Sequence, residues 1–259
     1  MGIIQEKKAW NFGVIDIGKQ YGNMDTDASF YPEGMTAEEI KADILKRRIE
    51  LGNEYGFDGN KIFMADQIDK SGTYFEIDND YVEANPNGCS DIRQDILIVT
   101  IKTPTVVIGH PTADYPVVMM RDVKKGVTAI GHCSSEMIDK RLPMMMADVM
   151  TNNYGTKEDD IYTYVSACAS VGSYKYDSYP KWATDKKVWK NCIKEKEKAF
   201  YIDLRRAIAE QLVERKVLKY CMNHDDTITN PDYYSNSAAF NGDVEKAGRN
   251  FAGAYYKKR

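Results

Sequence analysis

Between residues 95 and 131 four short apolar runs follow one another: 95–101, 105–108, 116–120 and 127–131. They are rich in Val and Ile and separated only by K-T-P, a polar bridge and D-V-K-K-G. Runs this short cannot be helices of ordinary length. β-branched residues bounded by turn formers read as strands, and the last two form a hairpin. A chain with this centre must build a sheet that pairs at least partly antiparallel.

Helical signals lie around that centre without strict alternation. Thr36 and Glu39 form a capping box ahead of Ile40, Ile44 and Ile49, predicting a helix that stops near Gly52. The span 139–152 reads as helical, with Leu142, Met145, Met146 and Met150 on one side. The span 189–217 reads as the strongest helix, bent near Tyr201. Further strands are expected at 14–17, 61–65, 161–169, 218–222 and 250–256, and a loop at 79–93. Strands and helices mixed in this way indicate an α+β fold: one layered domain over 1–259, with mixed and antiparallel sheets flanked by helices.

The 259 residues suffice for a large core, and the net charge of −4, with Lys and Arg scattered among Asp and Glu, gives no bulk basic field for nucleic acid. No apolar run approaches the roughly 20 residues of a membrane span, and the first residues lack the apolar stretch of a signal peptide. Five cysteines without paired spacing fit free thiols in a reducing cytoplasm.

The chemistry-bearing residues sit in ordered motifs. T-A-D-Y-P spans 112–116, G-H-C-S-S-E spans 131–136, and S-A-C-A-S at 166–170 leads to Y-K-Y at 174–176. M-A-D-Q-I-D-K occupies 64–70, Y-I-D-L-R-R-A-I-A-E-Q-L 201–212, and K-A-G-R-N-F-A 246–252. In this order the motifs resemble the bacterial polyphenol-oxidase or laccase-domain family, which reads T-A-D-C-x-P, then H-A-G-W-R-G, then G-P-x-I-x-x-x-x-[FY]-E-V. Its members include purine nucleoside phosphorylases and adenosine deaminases.

The resemblance implies a layered fold with mixed sheets and a small-molecule ligand, a purine nucleoside, at a pocket around His132. It implies phosphorolysis of the N-glycosidic bond or hydrolytic deamination. A rival reading is a silent relative that only binds a nucleoside or nucleotide-like ligand. A third is copper-type phenol oxidation. The family's metal ligands are His, Cys and His, and the matching positions here are Asp69, Tyr115 and His132. Asp is an acceptable oxygen ligand, whereas a neutral phenol is a poor one. Zinc is therefore expected at partial occupancy, and Asp, Tyr and His make a still poorer copper set. His110, five residues before Tyr115, is the candidate replacement ligand; its other reading is a hydrogen-bonded structural histidine.

The expected catalytic residues are His132, Asp114 and Tyr115. Asp114 either orients His132 or a substrate hydroxyl, or holds a turn. The expected substrate contacts are Gln67, Tyr174 as a stacking ring and Arg249 as a phosphate clamp, set against a surface ion pair for Arg249.

Overall fold

The computed structural model describes residues 12–65, 71–89, 92–103 and 106–256. Its strands are β1 (Phe12–Ile17), β2 (Ile62–Met64), β3 (Tyr74–Glu76), β4 (Ile96–Val99), β5 (Val107–Thr112), β6 (Val117–Asp122) and β7 (Val127–His132). Then come β8 (Ile161–Val165), β9 (Lys175–Tyr176), β10 (Ile193–Lys196), β11 (Ala199–Ile202), β12 (Lys219–Met222) and β13 (Asn250–Tyr256). The helices are α1 (Ala37–Tyr55), α2 (Asn79–Ala84), α3 (Ser135–Asp139), α4 (Leu142–Tyr154), α5 (Lys186–Trp189), α6 (Leu204–Glu214) and α7 (Asn236–Phe240).

Two sheets face each other. One orders β1-β13-β5-β2, with only the β5–β2 pair parallel; the other orders β12-β8-β6-β7-β4-β3, parallel at both edges and antiparallel between. The strand alternation assigns each side chain to a layer. On β6, Val117 and Met119 enter the core between the sheets, with Val14, Phe63, Ile108 and Ala252. Val118 and Met120 point the other way, into a second core with Met137, Leu142, Met146, Ile208 and Leu212 of α3, α4 and α6. A third core covers the outer face of the four-stranded sheet, where Leu51 of α1 meets Ile15, Val107 and Phe251. The layers are helix, sheet, sheet, helices, as an α+β fold of mixed sheets requires. Because β6 is covered on both faces, it reads as a continuous apolar run rather than an alternating one.

The hairpin β6–β7 closes as expected. Asp122 Oδ1 accepts from the Lys124 and Lys125 N–H groups at 2.8 and 3.0 Å, and Gly126 takes φ +70°. The capping box at Thr36 and Glu39 is present.

Four sequence expectations need correction. Helix α1 runs past Gly52 to a left-handed C-cap at Gly56. Gly52 serves close packing instead: a Cβ there would lie 2.5 Å from the Phe57 carbonyl oxygen and 2.7 Å from the Gly59 nitrogen. The helix expected over 139–152 is two helices, parted where Arg141 adopts φ +66°. Of the span 189–217 expected as a bent helix, 193–202 is a hairpin, and the helical part beyond it is α6. Glu197 and Lys198 both take positive φ, the geometry of a tight hairpin turn, and so pair Ile193 with Ile202. Lys and Glu are good helix formers, but the local K-E-K-E-K run is overridden by cross-strand packing of Ile193 and Ile202 into the helix-side core. Finally, the loop expected at 79–93 contains α2, capped by Asp78 on the Tyr81 N–H.

Among the described residues no helix is long and apolar enough to cross a membrane.

Candidate functional site

At one end of the sandwich the chain leaves the four-stranded sheet as β5, turns at 113–116, and enters the six-stranded sheet as β6. His110 lies on β5, Tyr115 in the turn, and His132 is the last residue of β7, opposite Val117. The turn is held by Thr112 Oγ1 donating to the Tyr115 carbonyl at 2.5 Å and by the Cys133 N–H donating to the Pro116 carbonyl at 2.8 Å. Around it is a cavity of about 350 Å³ lined by His110, Asp114, Tyr115, His132, Tyr174 and Arg249, among others. Gln67 and Asp69 lie outside the described residues.

The two histidines form one wall, ring centroids 6.0 Å apart and planes tilted by 32°. His110 is buried; its ring bonds the Ala65 backbone, while its Nε2 has no partner among the described residues. His132 Nδ1 is likewise buried and unpartnered among them. Burial, then the neighbouring His132, pushes the His110 pKa down to about 3. Burial, with help from the Arg249 charge, pushes His132 down to about 4. Both rings are therefore neutral near pH 7. With its ring bonded to the Ala65 backbone, the unpartnered Nε2 of the cavity-lining His110 is a lone-pair acceptor.

Facing them is a row of phenols. Tyr115 meets His132 edge-on at 5.9 Å and Tyr174 edge-on at 6.3 Å. The Tyr174 hydroxyl donates to that of Tyr115 at 3.2 Å and lies 2.8 Å from that of Tyr176. Ser135 Oγ stands 3.5 Å from the Tyr174 hydroxyl. Burial raises both the Tyr115 and Tyr174 pKa values, so these groups stay protonated. Arg205 of α6 fixes the stretch leading to Tyr174. It donates to Ser170 Oγ, the Cys168 carbonyl and the Asn223 carbonyl, each at 2.9 Å.

Asp114 sits in the left-handed region at φ +71°, and its carboxyl group is fully engaged. It accepts from Thr227 Oγ1 at 2.9 Å and from the Ser237 N–H at 2.7 Å, tying the turn to the α7 segment. Arg249 Nη1 donates to the Gly248 carbonyl at 3.0 Å, and Nε lies 3.5 Å from Asp25 Oδ2. Its guanidinium carbon stacks 4.6 Å from the Phe30 ring centroid. Arg249 thus reaches the cavity already half committed to Asp25. Cys168 is buried with its thiol pushed up to about 12, which does not suit a nucleophile.

Sequence reasoning missed Asp25, Asn236 and Ser237, which also line the cavity. The last two end a polar stretch over 225–237, where Ser235 caps α7. That Ser-to-helix signal was available. Asp25 lies in a polar loop with nothing to mark it.

The arrangement can be tested against a metal. Among the described residues no three His, Cys, Asp or Glu side chains converge as a ligand group. Two neutral imidazoles and a protonated phenol fall short of the three protein donors of a catalytic zinc site and of the imidazole and thiolate sets that hold copper.

A family model for multi-copper polyphenol oxidoreductase laccase matches residues 22–256. The fold is shared with three solved structures. YlmD of Geobacillus stearothermophilus is 13% identical, with all of both chains covered and a TM-score of 0.75. Hypothetical protein YfiH of Bacillus licheniformis is 14% identical over 99% of this chain and 96% of that one, with a TM-score of 0.73. Neisseria meningitidis protein NMB0706 is 13% identical over 99% of each chain, with a TM-score of 0.72. No curated protein sequence matches the chain.

Proposed function

The chain belongs to the multi-copper polyphenol oxidoreductase laccase family, and from that premise we propose that it acts on purine nucleosides, by deamination or phosphorolysis, in the cavity around His132. The supporting observation is the pairing of unlike walls. Buried imidazole nitrogens without partners among the described residues face hydroxyl groups that stay protonated, across a cavity of about 350 Å³. Small-molecule sites occupy about 300–1,000 Å³ and carry a few convergent polar groups on an aromatic lining. A purine offers both ring donors and ring acceptors to such walls, and its face to tyrosine rings.

In deamination, water adds at the amino-bearing ring carbon and ammonia leaves. In phosphorolysis, a phosphate oxygen attacks the sugar carbon and the base leaves with a proton. In either case neutral His132 accepts the hydrogen bond or proton of the attacking group, and the Tyr115 hydroxyl donates towards the departing nitrogen. Phosphate, where used, meets Arg249. The copper that the family description names does not suit this donor set, and no step is assigned to it. Zinc held by His110, His132 and Asp69, the set the family resemblance implies, would occupy the His132 lone pair that accepts this proton, so no step is assigned to zinc either. Elemental analysis of purified protein should give clearly less than one zinc or copper per chain; full occupancy that withstands a mild chelator contradicts this.

The second reading, a binding-only relative, draws on Tyr115 standing where the family has a cysteine. A nucleoside panel with and without phosphate, read by base release and ammonia release, separates the two. Turnover that His132→Ala abolishes supports the enzyme. Stabilisation by a nucleoside without turnover supports the binder. Neither turnover nor stabilisation removes both.

A further inference from the structure

The whole-chain charge conceals a local reversal. Residues 173–201 hold eight lysines (175, 181, 186, 187, 190, 194, 196 and 198) against four carboxylates, a net of +4; the rest of the chain carries −8. All eight lysines are exposed. Only Lys187, with Glu214, and Lys196, with Glu197, make ion pairs among the described residues.

This segment contains the three-stranded sheet β10-β11-β9, whose middle strand is β11. Its register aligns Lys194, Tyr201 and Lys175 across the three strands. Residues directly opposite in antiparallel strands point to the same face, with Cβ atoms about 4.5–5.5 Å apart. Ile193, Ile202 and Tyr176 point to the other face, into the helix-side core. The outer face therefore presents one aromatic ring on the central strand with a lysine on each side. Tyr201 itself is half-buried, between two exposed lysines.

We infer that the outer face of this sheet binds single-stranded nucleic acid: Tyr201 stacks on a base, and Lys175 and Lys194 contact the flanking phosphates. The lysines supply a sequence-independent attraction, and the aromatic ring is what an anionic membrane or an acidic protein would not need. A four-stranded sheet with stacking aromatics is an established way to hold single-stranded RNA. The surface is separate from the cavity, and the inference does not rest on the nucleoside reading.

The test uses the full chain and a short fluorescein-labelled oligothymidylate at low salt, followed by anisotropy. Binding should be tighter than to a duplex of equal length or to phosphatidylserine-containing vesicles. Tyr201→Ala should weaken it about fivefold or more, and Tyr201→Phe should leave it intact, since stacking needs the ring and not the hydroxyl. Lys175→Glu with Lys194→Glu should weaken it further and flatten the salt dependence, by about 0.7 in log–log slope for each phosphate the protein no longer neutralises. Thermal midpoints check folding; if Tyr201→Ala unfolds, the Phe and Glu variants decide. No binding, equal binding to duplex or vesicles, or Glu variants that bind like the native chain would overturn the inference.

Discussion

Two kinds of buried polar group line the same cavity and have opposite fates. Asp114 spends both carboxyl oxygens on Thr227 and Ser237, so it joins the turn at 113–116 to the α7 segment. His110 and His132 leave Nε2 and Nδ1 without partners among the described residues. An unmet buried polar atom costs about 1–3 kcal/mol, which folding has no reason to retain unless something else meets it. The contrast teaches that burial alone does not mark a functional residue. The satisfied carboxyl is architecture, and the orphaned nitrogens are where a ligand is expected.

The largest test of this contrast is His132→Ala. Turnover should fall by about a hundredfold or more, the usual weight of a positioned proton acceptor. Stability should change by no more than about 1 kcal/mol, since the side chain has no Nδ1 bond to lose. Unchanged turnover, or a collapse of stability with no loss specific to the ligand, breaks the contrast from the histidine side. Asp114→Ala attacks it from the other. It strands the buried Thr227 hydroxyl and the Ser237 N–H, and it places alanine at φ +71°. A loss of about 3 kcal/mol is expected from denaturant unfolding, and Asp114→Asn should cost less because Asn tolerates the left-handed region and keeps one acceptor. Equal losses for Ala and Asn would show that neither the retained acceptor nor the left-handed backbone matters, and would break the contrast from the carboxyl side.

Much of this contrast was legible beforehand, and the rest was not, for identifiable reasons. His132, Tyr115 and Asp114 fall in motifs whose order survives, and the strands carrying them are short β-branched runs, the clearest local signal the chain has. His110 was visible only as a histidine beside an apolar run; that its Nε2 is orphaned depends on β5 pairing with β13 and facing β7, a non-local fact. The hairpin β10–β11 was hidden because Lys and Glu favour helices locally, and only the partners of Ile193 and Ile202 decide otherwise. Asp25 reaches the cavity from a loop separated by over two hundred residues from Arg249, its partner there. No sequence window spans that.

Asp16 sharpens the comparison with an intermediate case. Its Oδ2 accepts from the Tyr164 hydroxyl at 3.0 Å and from Ala167 N–H and Asn223 Nδ2, both at 2.8 Å. Burial nevertheless outweighs these bonds and raises its pKa from 3.8 to about 6. The protonated form is the one the fold favours, so the contribution is fully present below about pH 3.8. It is lost as pH rises towards 6, and constant above. Asp16→Asn cannot ionise and still offers an acceptor. Its stability relative to the native chain should therefore rise by about 2 kcal/mol between pH 4 and pH 7, read as the difference in unfolding free energy. A difference that does not vary with pH would mean that the three hydrogen bonds compensate the charge, and that satisfied and orphaned groups differ less than the cavity suggests.

The smallest effect is expected where the two classes meet, in the phenol row. Tyr174 is buried, and its hydroxyl bridges those of Tyr115 and Tyr176. Tyr174→Phe removes that bridge while keeping the ring, and the two remaining hydroxyls still face the cavity, where water or ligand can reach them. The cost in stability should be about 1 kcal/mol or less, the net worth of an ordinary hydrogen bond. If the row orients the Tyr115 proton towards a ligand, the same change should weaken nucleoside-induced stabilisation several-fold, and Tyr115→Phe should do the same without adding to it in the double variant, because both remove one continuous chain of donors. Independent, additive losses would instead make each hydroxyl a separate contact. The row would then belong with the orphaned nitrogens as a set of single ligand-facing groups rather than with Asp114 as part of the frame.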